Sequence, residues 1–279
     1  MTESTIRDFW NENPCGQTLV AASPERYMEF FDTYDNYRYS TERRILSCLD
    51  NIDFEGKRVL EIGLGQGADS EQITRRGALW SGIDITPASV ERVKARFALK
   101  GLSHQYLEVG SAVDLPFDDD TFDLVYSHGV LHHIPDIVTA QSEISRVLKS
   151  DGQLVAMLYS KYSLNYLLSI SIVRRLALAA AYLSGTDLSG KPGVHLQQAK
   201  ERGLLSYLKM SNFVHRNTDG PLNPYSKVYS LSEVKRDFQD FEIATAHKEL
   251  MHAPPLPVEW IPLSSYLGWH LWVHLRNRK

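Results

Sequence analysis

The sequence predicts an α/β protein with a mostly parallel sheet and helices on both faces. Three stretches lead there. Residues 58–70, RVLEIGLGQGADS, read as a buried strand, a glycine turn and a helix start. Residues 78–84, ALWSGID, read as a second strand and run into a helix opened by Pro87. Residues 122–127, FDLVYS, show the alternation of a sheet core. Strands that alternate with helical patterns imply crossover connections, and hence parallel pairing.

In the first stretch Val59, Leu60 and Ile62 are strand formers, and Gly63, Gly65 and Gly67 follow at every second position. Such a turn lets the backbone bend sharply and approach a ligand beside the free amides of a helix N-terminus. The spacing is GxGxG, not the GxGxxG of dinucleotide binders. Glu61 adds a carboxylate at the strand end, where a phosphate would be repelled and a cation welcomed. A helix is expected over 68–76, capped by Gly77, and the next strand ends at Asp84, about twenty residues beyond the first glycine. A carboxylate at that strand end can accept both hydroxyls of a ribose, and Ile85 beside it offers an apolar surface to a base. Pro87 starts the following helix and Gly101 closes it.

Residues 109–135, VGSAVDLPFDDDTFDLVYSHGVLHHIP, combine a loop, an acidic turn at 118–120 and the FDLVYS strand. The segments GSAVDLPF, FDLVYS, VLHHIPD and RVLKSDG follow the order and spacing of GDAxxLPF, FDxVxS, LHH and RVLKPGG in the class I S-adenosylmethionine-dependent methyltransferases. The glycine turn resembles motif I of that family. The resemblance covers residues 59–158, a little over a third of the chain. It implies a Rossmann-like, seven-stranded sheet with an antiparallel last strand, and S-adenosylmethionine as cofactor, with S-adenosylhomocysteine as product. The cofactor brings an ammonium, a sulfonium and no phosphate, in keeping with Glu61. Carried onto this sequence, the cofactor contacts implied are Glu61, Gly63, Gly65, Gln66 and Gly67 of the turn, Asp84 and Ile85, Ser111 and Ala112, and Ser127. Ser111 departs from the family, which usually has an acid there to bond the adenine amino group; the contact must be weaker or come from elsewhere. Ser150 and Asp151 replace Pro and Gly in a surface turn and touch no chemistry.

The flanks match loosely. Residues 1–50 form an expected helical cap, rich in aromatics, with one or two helices over 24–49 started by an N-cap serine and Pro24. Tyr34, Tyr37 and Arg38 are candidate substrate contacts from that cap, the alternative being a stacked aromatic helix face. After the core, 51–160, comes an insertion, 161–229, with helical stretches at 164–183 and 195–210. Its place after the fifth strand makes it the expected substrate lid. The end, 230–279, should supply a serine-capped helix at 230–238 and strands at 241–250 and 269–275.

Methyl transfer needs a base only when the acceptor carries a proton. His128, His132 and His133, just after FDLVYS, are the candidates. His128 and His132 stand four apart, but without an acidic partner or third ligand no metal site is expected. Arg38, Arg174, Arg175 and Arg216 could hold an anionic group of the acceptor.

A net charge of −4 over 279 residues argues against general nucleic-acid binding. Two cysteines, Cys15 and Cys48, are too few for a disulfide framework, and the polar start lacks a secretory signal, so a cytoplasmic protein is expected. Residues 162–183 are apolar enough to approach a membrane span, yet Arg174 and Arg175 sit at mid-depth. No transmembrane segment is therefore expected, and only surface contact with a membrane stays open. The expected partner is a small-molecule acceptor; the sequence specifies no oligomeric state. The alternatives are methylation of a lipid or glycan precursor at a membrane face, and a catalytically silent cofactor-binding subunit.

Overall fold

The structure, a computed structural model, describes residues 2–14 and 26–279. The predicted helix start at Pro24, and Cys15, lie outside them. Three helices precede the sheet: α1 (Glu3–Glu12), α2 (Tyr27–Thr41) and α3 (Ile45–Asp50). The core then alternates as β1 (Arg58–Ile62), α4 (Ala68–Arg75), β2 (Leu79–Asp84), α5 (Pro87–Lys100), β3 (Tyr106–Val109), β4 (Phe122–His128), α6 (Ile137–Val147) and β5 (Leu148–Tyr159). Asp136 caps α6 through Thr139, and Gly101 ends α5 in the left-handed conformation.

Strand order is β3-β2-β1-β4-β5-β7-β6, with β6 (Phe241–Glu249) and β7 (His270–Asn277) closing one edge. The first five strands are parallel, and β7 runs antiparallel between β5 and β6. This is the predicted seven-stranded architecture. Successive residues of the central strands feed two cores. Leu60, Ile62 and Val125 pack under α6 and α11 (Leu231–Asp237), while Val59, Leu124 and Tyr126 pack with Trp80, Val93 and Phe97 on the α5 side. Burial on both faces is why these strands read as continuous apolar runs. Ser230 caps α11 in a reciprocal box with Glu233.

The insertion folds around its own small core of Ile170, Leu178, Leu196, Tyr207 and Phe213. A π-helical stretch, Asn165–Arg174, runs straight into α7 (Arg175–Ser184), followed by α8 (Gly190–Arg202) and the single turns α9 (Leu204–Tyr207) and α10 (Met210–Phe213). The predicted helix over 195–210 is thus split, because Gly203 interrupts it. Arg174 turns inward, donating to the carbonyls of Pro254 at 2.9 Å and Asn217 at 2.7 Å, so it is committed to the fold. Before β7 lies one more turn, α12 (Ser264–Leu267).

A candidate cofactor crevice at the strand ends

The C-terminal ends of β1, β2 and β4, with the loop after β3, enclose a cavity of about 390 Å³. In open α/β sheets ligands bind at this edge, outside the C-terminal ends of the strands. The glycine turn forms one wall. Gly63, at φ +81°, lies so close to Val130 that an added Cβ would fall 2.2 Å from its side chain. Gly65, at φ +54°, faces open space, so only backbone borders the cavity there.

Asp84 is buried at the next wall. One carboxylate oxygen accepts from the Leu64 amide at 2.8 Å; the other accepts from the Thr86 amide at 2.8 Å and its hydroxyl at 2.7 Å. Burial raises its pKa against these bonds. They fix the carboxylate's orientation, and each oxygen keeps acceptor capacity for a ligand. Glu61 is buried too and accepts from the Trp80 indole at 2.8 Å. Burial, aided by the nearby negative charge of Asp69, pushes it up to about 8. A cation brought beside this buried carboxyl would lower it again.

Beyond the turn stands an ion network that single stretches of sequence do not reveal. Asp69, at the start of α4, accepts from Arg38 Nη2 at 2.7 Å and Nε at 3.1 Å, and from the Tyr126 hydroxyl at 3.1 Å. His128 Nδ1 lies 3.0 Å from the same carboxylate and 2.6 Å from Arg38. Burial would raise the Asp69 pKa, but Arg38 and His128 override it and hold the carboxyl well below the usual range. Glu42 follows the same logic, its burial outweighed by Arg38, His270 and His128. Burial lowers His270 to about 3, keeping it neutral. Glu42, His128 and His270 place ligand-type atoms within 4.8 Å of one another. Arg38 already supplies a cation there, 3.6 Å from Glu42.

Of the sequence-predicted residues, Glu61, Gly63, Gly65, Gln66, Asp84, Ile85, Ser111 and Ala112 line the cavity, as do Tyr34, Arg38, His128 and His133. Four do not. Gly67 serves as the left-handed N-cap of α4 and packs near Val93. Ser127 is turned away, its hydroxyl donating to the Ile62 carbonyl at 3.0 Å to tie β4 to β1. Tyr37 is half-exposed on the outer face of α2. His132 is fully buried, packed on Tyr159 at 3.9 Å, and burial pushes its pKa well below the usual value, so it is a core histidine. The expected lid also needs correcting: among the described residues none of 161–229 lines the cavity. The insertion reaches the site through His133, whose Nδ1 lies 2.8 Å from the Tyr225 carbonyl and whose Nε2 lies 3.4 Å from Asp219.

The cover comes instead from α1, whose Glu3, Ile6 and Trp10 line the cavity. Trp10 meets His133 edge-on at 5.0 Å. Glu3 accepts from the Ser111 hydroxyl at 2.7 Å, so a carboxylate stands at the position where Ser111 lacks one. Ile6, Phe9 and Trp10, spaced three and four apart, were the sequence signal for this helix. Asp35 of α2 and Glu71 of α4 both grip the buried Arg96 of α5, at 2.7 and 2.8 Å, which seats α2 against the core.

The fold is similar to that of solved S-adenosylmethionine-dependent methyltransferases, with the crevice at the matching strand ends. A protein-family profile described as a methyltransferase domain matches residues 60–156. The chain is 33% identical over 105 residues to a phthiotriol/phenolphthiotriol dimycocerosates methyltransferase of Mycobacterium leprae. It is 35% identical over 96 residues to an uncharacterized methyltransferase of Bacillus subtilis. These matches cover 37% and 34% of this chain, and 38% of each relative's length. The whole fold is similar to geranyl diphosphate C-methyltransferase from Streptomyces coelicolor A3(2), solved with Mg2+, geranyl diphosphate and S-adenosyl-L-homocysteine: TM-score 0.55, 14% identity, 100% of this chain and 99% of that one. A methyltransferase from Aquifex aeolicus aligns with TM-score 0.53 at 13% identity, over 92% and 99%.

Proposed function

We propose that the chain transfers the methyl group of S-adenosylmethionine to a small-molecule acceptor with an apolar body. The observation that carries this reading is the cavity itself, which joins the glycine turn, two buried carboxyls and the Ser111–Ala112 turn to a wall bearing His128 and His133. Its volume lies within the range of small-ligand sites, about 300–1,000 Å³. The residues fit the cofactor: Asp84 is preset for ribose hydroxyls, Glu61 for the ammonium, Ile85 for the base, and Gly65 leaves the backbone clear. When bound, the cofactor supplies an electrophilic methyl on a sulfonium whose departure leaves a neutral thioether.

The chain's own part is to bind, orient and desolvate. Aligning two reactants can contribute about 7–11 kcal/mol. Ile6 and Trp10 of α1 and Val130 and Ile134 after β4 give the cavity apolar walls that exclude water. Such walls suit apolar acceptors of the kind the similar proteins' names carry, a dimycocerosate or geranyl diphosphate.

His133 is the group this reading assigns to take a proton. It lines the cavity, and its Nδ1–H donates to the Tyr225 carbonyl, which leaves the lone pair on Nε2, an enclosed atom 3.4 Å from Asp219 that meets an acceptor only when the Asp219 side gives way. His128, held between Asp69 and Arg38, positions rather than accepts.

Calorimetry with S-adenosylmethionine, followed by a mass-spectrometric screen for methylated products in metabolite and lipid pools, tests the reading. Tight binding with no S-adenosylhomocysteine formed from any pool would favour the silent subunit. Asp84→Ala should weaken binding by about 1–3 kcal/mol. His133→Ala should cut turnover about a hundredfold or more at unchanged cofactor affinity. Unchanged turnover would remove His133 from the reaction.

A further inference from the structure

The insertion carries a surface that methyl transfer does not use. Asn165–Ser184 is a continuous helix with a mean hydropathy of 1.5, long and apolar enough to cross a membrane, yet only 17% of that stretch is buried. One face, through Ile170 and Leu178, is spent on the insertion's own core. The other is bare: Leu168, Ile172, Leu176 and Leu183 recur at steps of four, four and seven, with Leu176 65% and Leu183 79% exposed. Nearby chain adds aromatics. The 251–267 segment packs on the start of this helix through Leu164, and the carbonyl of its Pro254 receives Ser169 and Arg174. That segment exposes Trp260 by 78% and Tyr266 by 73%. Isolated exposed apolar residues are ordinary, but a row of them along one helix with aromatics beside its start marks an interaction site.

Charge says what the partner is. Residues 161–229 hold nine Lys or Arg against three Asp or Glu, a net charge of +6; the rest of the chain has twenty-one against thirty-one, or −10. Lys191, Lys200, Arg202 and Lys209 are exposed, and the last two flank Leu205, itself 83% exposed. An apolar helix face, exposed Trp and Tyr, and a cationic segment on an acidic protein are the ingredients of attachment to an anionic lipid surface. A second copy is a poor occupant, since a twofold interface would bring two cationic segments together. Spanning is excluded by the inward commitment of Arg174 at mid-helix.

We infer that the insertion and the 251–267 segment form a peripheral docking face for an anionic membrane, with the Asn165–Ser184 helix lying in the lipid interface. This rests on the surface alone and stands whether or not the catalytic reading holds.

The test is sedimentation of the full chain with phosphatidylcholine vesicles, with and without phosphatidylglycerol, at low and high salt. Binding is expected with phosphatidylglycerol and should weaken as salt screens it. L176E/L183E should abolish sedimentation, and R202Q/K209Q should weaken it by about fivefold for each cation removed. Both variants lie outside the cavity, so melting temperature and cofactor affinity should be unchanged. If L176E/L183E fails to fold, R202Q/K209Q and the salt series still decide. No sedimentation on either vesicle overturns the inference, as does sedimentation indifferent to lipid charge, salt and R202Q/K209Q. A dimer in analytical ultracentrifugation that L176E/L183E dissolves would give the face to a second copy and overturn it equally.

Discussion

The two sides of the crevice are built differently. On the β1–β2 side every important contact joins residues close in sequence: Leu64 to Asp84, Asp84 to Thr86, Glu61 to Trp80. On the β4 side contacts cross the whole chain: Arg38 to Asp69 and His128, Glu42 to His270, His133 to Tyr225; and α1, packed on His133, reaches over to Ser111 of the β3 loop through Glu3. The first side is dictated by turn chemistry and backbone geometry, the second by which helices come to rest over the sheet. Ligand chemistry shared by a whole fold can reside in local geometry. On the proposed reading, acceptor chemistry is left to the assembled side, where changes in distant segments can alter it.

If the β4 side is held by its ion network, breaking that network should do the most damage. Asp69→Ala leaves the half-buried Arg38 beside His128 with its main counter-charge gone, and removal of one member of a buried pair costs up to about 3–5 kcal/mol. Chemical denaturation should show that loss together with weakened cofactor binding. A change under about 1 kcal/mol would mean that the network is ornamental. The same groups set an acid limit. His270 has its folded pKa depressed to about 3, and Asp69 and Glu42 are also depressed. The unfolded chain therefore binds more protons on acidification, and stability should fall as pH drops below about 6.5, first through His270 and then through the carboxylates. His270→Gln should remove the upper part of that slope.

The β1–β2 side should fail through shape. Gly63→Ala puts a methyl group onto Val130 at a φ of +81° and is expected to cost about 1–3 kcal/mol of stability, with cofactor binding lost alongside it. Gly65→Ala, with no neighbour to strike, carries only the strain of a left-handed backbone, about 1–2 kcal/mol, and should lose affinity by intruding on the ligand. Equal effects from the two substitutions would erase the distinction between structural and ligand-facing glycines.

This division also explains what the sequence disclosed. The glycine turn, the acid ending β2, the α5 boundaries and the serine cap of α11 are local events, and they fell within a residue or two of expectation. Ser127 and His132 belong to the same legible segments but point elsewhere, because strand alternation and a short helical turn decide which side chains face the cavity. Sequence order alone cannot resolve that. The insertion was legible as helical and apolar, but its position was not, since it depends on its packing against Tyr159 and Trp269. The covering helix α1 was readable in principle from Ile6, Phe9 and Trp10. What no local pattern contains is that Glu3 meets Ser111, 108 residues away.

A subtler contrast concerns protons. Glu61, raised to about 8 by burial, is protonated in the empty protein at neutral pH. Because its folded pKa exceeds the unfolded value, it contributes stability at low pH that is lost as pH rises toward 8. A bound ammonium reverses the preference and should drive Glu61 to ionise. Cofactor binding below pH 8 should release a proton, and affinity should rise by up to about tenfold per pH unit in that range. Calorimetry in buffers of different ionisation enthalpy measures the release. Glu61→Gln should bind more weakly and with the Glu61 proton removed from the balance; a release unchanged in this variant would assign the proton to another group.

The smallest effect tests whether the β4 side has taken over a task from the other. Glu3 reaches Ser111 across the cavity mouth from α1, the element farthest in sequence from the sheet end it covers. If its carboxylate serves the adenine amino group in place of an acid at position 111, Glu3→Gln should weaken cofactor binding by about 1 kcal/mol, or roughly fivefold. Glu3 is exposed and its bond shared with solvent, which keeps the effect small. The informative variant is the compensating one, E3Q/S111D, which moves the acid from the helix to the β3 loop and should restore affinity toward the starting value. Restoration would show that the two positions hold one function between them. An affinity no better than that of Glu3→Gln would show that α1 acts through coverage alone, with Trp10 and Ile6 as its working residues.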